Sequence, residues 1–220
     1  MTKLAIFDCD GTLVDSQANI CMAMEHAFEE AGLTPPMRHE TRRVVGLSLV
    51  ESMRMLLPEA ADDLHHDLAD KYRSAFWTLR SNGLVDEPLY DGIAALLSSL
   101  DESGWMLGVA TGKSRRGLDH VMQAHDLGGY FVTTHVADDH PSKPNPSMLL
   151  TAMREAGTEP ANTVIIGDTS FDMDMGRAAG VRCIGVSWGY HPVTDLTQAD
   201  TIIDSFEALP AALDTLWRTA

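Results

Sequence analysis

Three short apolar runs, each ending on a small, hydroxyl or acidic residue, constrain what this 220-residue chain can fold into more than any other feature. Leu4-Ala5-Ile6-Phe7 leads into Asp8-Cys9-Asp10-Gly11, Trp105 to Ala110 into Thr111-Gly112-Lys113-Ser114, and Thr163 to Gly167 into Asp168-Thr169. Brief apolar runs bounded by turn residues read as strands buried on both faces, the state of strands in a parallel sheet. Val181 to Ser187 and Thr201-Ile202-Ile203 extend the set. Asp91 to Leu100, Arg115 to Ala124, Pro146 to Ala156 and Asp172 to Ala179 carry apolar residues at helical spacing, and the Ala-rich tail from Ala208 to Ala220 reads as a terminal helix. Strands alternating with helices predict an α/β fold, a mostly parallel sheet wrapped on both faces.

One stretch breaks the alternation. Between 17 and 87 no strand pattern occurs, and helical segments follow one another: Ala18 to Ala31, Arg38 to Val45, Leu49 to Leu57 and Ala60 to Asn82. Gly32 with Pro35-Pro36, Gly46, Pro58 and Gly83 punctuate them. The expected organisation is therefore a core of residues 1–16 and 88–220 with a helical module, 17–87, inserted after the first strand. Both of its connections, near Asp15-Gln17 and Asp86-Tyr90, leave from beside the Asp8-Asp10 turn, so the module is placed to close over that turn.

Composition removes several classes of function. A formal net charge of -16 argues against nucleic acid and anionic membrane surfaces, which demand basic patches. No apolar run approaches the roughly 18 residues of a membrane span. Met1-Thr2-Lys3 leads straight into the first strand and leaves no space for a signal peptide, so the cytoplasm is the expected location. Cys9, Cys21 and Cys183 are scattered, without a C-x-x-C pair, and read as small buried side chains in a reducing compartment. The Met22-Met24 and Met53-Met55 segments read as ordinary core, and nothing identifies an oligomeric state.

The candidate chemistry sits at the strand ends, where open α/β sheets bind ligands. In extended backbone Asp8 and Asp10 point the same way, roughly 6 to 7 Å apart along the chain, with room for a substrate atom between them. Gly11 permits a sharp exit, and Thr12 offers a hydroxyl to a bound anion. A calcium loop is excluded because its third ligand would fall on Thr12 and its glycine on Leu13. Thr111 and Gly112 place a hydroxyl and exposed amides at a helix start, which favours phosphate, although Thr111 or Ser114 also suits a simple helix cap. The Gly112-Lys113-Ser114 triplet is no Walker loop, since the first glycine would fall on Leu107, and Lys113 itself carries no assigned role.

Lys143, in the rigid Ser142-Lys143-Pro144-Asn145-Pro146 loop, supplies a cation that can be aimed. Asp168 is expected level with Asp8 if their strands are neighbours. Asp172 doubles as a helix-cap candidate, and Asp174 is expected in solvent. Hard oxygen ligands from separate loops suit Mg2+. The nine histidines show no metal spacing: adjacent His65 and His66 diverge on a helix, and His140 and His191 are expected at the surface.

Taken in this order, Asp8/Asp10, Thr111, Lys143 and Asp168/Asp172 resemble the four motifs of the haloacid dehalogenase superfamily, over residues 1 to about 190. The helical insertion resembles that superfamily's small α-helical cap. DGTLVDS, the KPNP loop, GDTSFDM and RAAGVRCIGVSWGY are similar to the phosphoglycolate phosphatase group within it. The resemblance implies a Rossmann-like core, Mg2+ dependence, and hydrolysis of a small phosphate monoester through an aspartyl-phosphate. In that scheme Asp8 is the nucleophile and Asp10 the acid and base. Asp8, Asp10 through its carbonyl, Asp168 and Asp172 serve the metal, and Gly11, Thr111, Gly112 and Lys143 bind the phosphoryl group.

Rival readings are ranked by residue. A haloacid dehalogenase proper would lack Asp10. A β-phosphoglucomutase-like phosphotransferase is the second reading; the insertion carries Arg38, Arg42, Arg43, Arg54 and Arg73, yet Leu49 stands where such mutases tend to place a basic residue. A phosphonoacetaldehyde hydrolase would need a Schiff-base lysine there, and the insertion's only lysine, Lys71, sits late in its last helix. A receiver-type phospho-accepting domain would need neither the insertion nor Asp10.

Overall fold

The computed structural model describes residues 2–218. Six strands, β1 (Lys3–Phe7), β2 (Trp105–Thr111), β3 (Phe131–Val136), β4 (Thr163–Gly167), β5 (Arg182–Val186) and β6 (Thr201–Ile203), form one sheet in the order β3-β2-β1-β4-β5-β6. Every neighbouring pair is parallel. Chain order runs outward from β1 through β2 to β3 and then returns to β4 on its other side. The carboxyl end of β1 is therefore a topological switch point, where such sheets open a crevice.

Alternation along β1 divides the core. Ala5 and Phe7 face a cluster closed by Leu97 of α5 (Ile93–Glu102), Leu118 of α6 (Arg115–Ala124) and Leu209 of α9 (Leu209–Arg218). Leu4 and Ile6 face Leu149 and Met153 of α7 (Ser147–Ala156) and Met173 of α8 (Ser170–Ala179). Period-two burial on both faces explains the unbroken apolar spelling from Leu4 to Phe7, because none of these four side chains meets water.

The insertion packs around apolar residues of its own. In α1 (Gln17–Glu30), Ile20, Ala23, Met24, Ala27 and Phe28 recur at helical spacing on one face. They meet Leu68, Ala69 and Tyr72 of α4 (Asp62–Ser81), with Met53 of α3 (Leu49–Leu56) between them. Burying Phe28 alone contributes about 1.5–3 kcal/mol. The short α2 (Arg38–Arg43) starts behind Met37, whose backbone N–H is bonded by Glu40 at 2.8 Å. Met55 is 53% exposed, unlike the other methionines of its group, because it projects from the outer face of α3.

Two expectations are corrected here. β3 falls in a stretch read without a strand, since Phe131-Val132-Thr133-Thr134-His135-Val136 lacks an apolar run. It is an edge strand, with Val132 59% exposed, so half its positions have no core to face. His191 is buried rather than superficial: its Nε2–H donates to the carbonyl of Arg43 at 3.1 Å, tying the insertion to the core. The terminal helix ends at Arg218, and residues 219 and 220 lie outside those described. No helix among the described residues is long and apolar enough to cross a membrane.

Candidate active site

The β1–β4 ladder brings the first acids together. Phe7 pairs with Ile166, and the Asp8 N–H donates to the Ile166 carbonyl at 2.9 Å, so Asp168 stands one residue beyond the level of Asp8. Gly11 then turns the chain with φ +82, and a methyl group there would lie 2.3 Å from Asp168 Oδ2. Only glycine meets both demands. Gly11→Ala is expected to cost about 1–3 kcal/mol in backbone strain and to displace Asp168; a denaturation midpoint within error of the parent would contradict it. The Thr12 hydroxyl, expected to face a bound anion, instead donates to Asp168 Oδ1 at 3.0 Å. The Tyr190 N–H holds the other oxygen at 2.8 Å.

Asp8, Asp168 and Asp172 each present an oxygen within 4.8 Å of the others, and all are buried. Among the described residues one cation faces them: Lys143 Nζ lies 3.0 Å from Asp8 Oδ1 and 2.6 Å from Asp172 Oδ1. Burial opposes the charge on Lys143, but Asp172 and Asp8 outweigh it and keep the ammonium protonated. Three carboxylates against one ammonium leave an uncompensated site. Burial, helped by repulsion from Asp172 and Asp10 and opposed by Lys143, pushes the Asp8 carboxyl up to about 7. Burial and the neighbouring Asp8 raise Asp168 well above the usual carboxylate range. Asp8 Oδ2 is buried with no hydrogen-bond partner. An all-carboxylate donor set whose charge one ammonium only partly offsets fits a hard divalent cation such as Mg2+.

Asp172 reconciles its two sequence readings. Its Oδ2 accepts from the Thr169 N–H at 3.1 Å and the Thr169 hydroxyl at 2.7 Å in a capping box at the start of α8. Its Oδ1 remains for Lys143. The cap therefore holds the carboxylate where the cluster needs it.

Asp10 lies beside this cluster in a second network that the sequence did not disclose. Its Oδ1 accepts from the Ser16 hydroxyl and from Lys113 Nζ, the latter at 2.6 Å. Lys113, earlier left without a role, is buried against Asp10 and Glu87 (2.9 Å), whose attraction overcomes its burial and keeps it charged. Glu87 in turn pairs with Arg80 in the last turn of α4. Ser16 N–H donates to the Tyr190 hydroxyl at 2.9 Å, so Tyr190 touches both networks. No local pattern signals Glu87, Ser16 or Tyr190, since what joins them to the site lies far along the chain: Glu87 meets Lys113 across 26 residues and Ser16 meets Tyr190 across 174.

Thr111 closes β2 and is buried; its hydroxyl oxygen accepts the Lys113 N–H at 3.2 Å. Ser114, not Thr111, caps α6, accepting from the Gly117 N–H at 3.2 Å. A side chain at Gly112 would strike the backbone carbonyls of Gly46 and Leu47 at 2.5 and 2.7 Å, so the insertion rests directly on this loop. The Ser48 N–H also donates to the Ser142 hydroxyl at 2.9 Å, beside Lys143. A cavity of about 330 Å3 lies between insertion and core, with Asp8, Asp10, Thr111 and Gly112 among its lining residues. Asp174 is exposed, as expected.

Residues 5–186 match the model of the haloacid dehalogenase-like hydrolases. The chain belongs to this family of enzymes. It is 33% identical over 223 residues to a protein of Dickeya dadantii named probable phosphatase IndB, covering 98% of this chain and 95% of that one. It is 28% identical over 215 residues to a phosphoglycolate phosphatase of Pseudomonas putida, covering 95% and 79%. The structure of a β-phosphoglucomutase from Clostridium difficile superposes with TM-score 0.83 at 19% identity, covering 100% and 98%, which shows the shared fold. The strand order places this hydrolase in the Rossmann-like α/β class.

Proposed function

We propose that this hydrolase is a Mg2+-dependent phosphatase that cleaves a small phosphate monoester through an aspartyl-phosphate. The observation that carries the proposal is the convergence of Asp8, Asp10, Lys143, Asp168 and Asp172 at the carboxyl ends of β1 and β4, beneath a helical insertion. Residues 17–87 act as a cap on the core formed by 1–16 and 88–220. The names of its relatives make phosphoglycolate one substrate to test.

Asp8 attacks phosphorus, forming a bond between its carboxylate oxygen and phosphorus while the bond to the ester oxygen breaks. Asp10 gives its proton to the departing alkoxide. Now a carboxylate, Asp10 takes a proton from the water that attacks the aspartyl-phosphate, and the bond to Asp8 breaks to release phosphate. The Thr111 hydroxyl, the Gly112 amide and the Lys143 ammonium bind the phosphoryl oxygens, and Gly11 keeps the backbone low beneath them. Asp8, Asp168 and the Asp10 carbonyl would hold Mg2+ with Asp172 steadying its surroundings, and the ion when bound offsets repulsion between carboxylate and phosphate. Ser16 and Lys113 orient Asp10.

Sustained release of inorganic phosphate from an aryl phosphate in Mg2+ tests the proposal. A receiver-type domain would stop after one equivalent. The mutase reading needs a cap that grips a second phosphate, but Arg38, Arg43, Arg54 and Arg73 all pair with carboxylates. Asp10→Asn is expected to lower turnover about 10²- to 10⁴-fold while phosphate binding is partly kept; normal turnover would remove it as the proton carrier.

A further inference from the structure

The cavity walls above the strand ends are chemically unlike its floor. Ile20 and Met24 of α1, Leu47 before α3, and Tyr72 and Phe76 of α4 give the insertion's side an apolar, partly aromatic surface. Trp77, 49% exposed, stands at the rim. Positive charge on the same walls is largely committed. Lys113 is held by Asp10 and Glu87, Arg80 by Glu87 and over the Phe76 ring at 5.1 Å, and Arg73 by Asp70 at 2.6 Å. Arg116 alone of these cations has no carboxylate partner among the described residues, and its guanidinium lies 3.3 Å from the centroid of the Trp77 ring.

A short anionic leaving group would find only Arg116 as an uncommitted cation, exposed and stacked on Trp77 at the rim, and would leave most of a 330 Å3 cavity unfilled. An uncharged hydrocarbon or aromatic group gains from the same walls without displacing an ion pair. Resting on the phosphatase reading above, we infer that the preferred substrate is a phosphate monoester of an alcohol bearing an uncharged apolar or aromatic group, seated against Met24, Leu47, Tyr72 and Phe76. The reaction remains the hydrolysis already described: the ester P–O bond breaks and the alcohol leaves with the proton from Asp10.

The test compares kcat/KM in Mg2+ for 2-phenylethyl phosphate, ethyl phosphate and phosphoglycolate, each an ester of a primary hydroxyl, the last carrying a carboxylate. The expected order places 2-phenylethyl phosphate first, by at least about 10-fold over each of the others. In Phe76→Ala and Trp77→Ala the ratio of 2-phenylethyl to ethyl phosphate should fall several-fold, whatever the absolute rates. Phosphate release that is equal across the three, or fastest from phosphoglycolate, overturns this inference and leaves the phosphatase reading standing. No release from any of them overturns both.

Discussion

Asp8→Asn is expected to abolish turnover, with a loss on the order of 10⁴- to 10⁶-fold in kcat, because the amide neither attacks phosphorus nor carries the phosphoryl group. The fold should survive the change. Asp8 is a buried carboxylate lifted to about 7 by its surroundings and beset by Asp168 and Asp172, so a neutral isostere removes repulsion at the cost of one contact to Lys143. Stability follows from the sign of that shift. A carboxyl whose folded value stands above its unfolded one destabilises the metal-free fold as pH rises through about 4 to 7, so the variant should lose less stability than the parent across that window. Urea midpoints at pH 5 and pH 8 in chelator, with phosphate release in Mg2+, check both halves. Residual turnover above background would end the nucleophile assignment.

The second large effect concerns the buried cation. Lys143→Met deletes the only ammonium among the described residues that faces Asp8 and Asp172 and leaves their carboxylates buried together. Removing one partner from a buried ion pair costs about 3–5 kcal/mol, a fall in Tm of roughly 6–20 °C for a chain of this size. Mg2+ should return part of that loss, since a second cation then occupies the same electrostatic position. Thermal unfolding with and without Mg2+ reads the result. A Tm within 2 °C of the parent in chelator would show that Lys143 is not the counter-charge that its distances indicate.

The parts of the fold legible in the sequence are those whose cause is local. β1, β2 and β4 spell themselves as apolar runs because both faces are covered, and α1 repeats its buried residues at helical spacing. β3 was not legible, because an edge strand with Val132 in solvent need not be apolar throughout. In the site, Asp8, Asp10, Lys143, Asp168 and Asp172 stood out as polar groups at strand ends or in a proline-fixed loop. Lys113 did not, since its meaning depends on Asp10, 103 residues away, and on Glu87. His191 misled for the same reason: a loop histidine looks superficial until the Arg43 carbonyl of the insertion covers it.

Arg80, Glu87, Lys113 and Asp10 form a relay of alternating charge running from the end of α4, through the returning strap of chain, to the carboxylate proposed as proton carrier. No displacement of that strap can occur without stretching or severing a link, so the seating of the helical insertion and the aim of the Asp10 side chain are geared to one another.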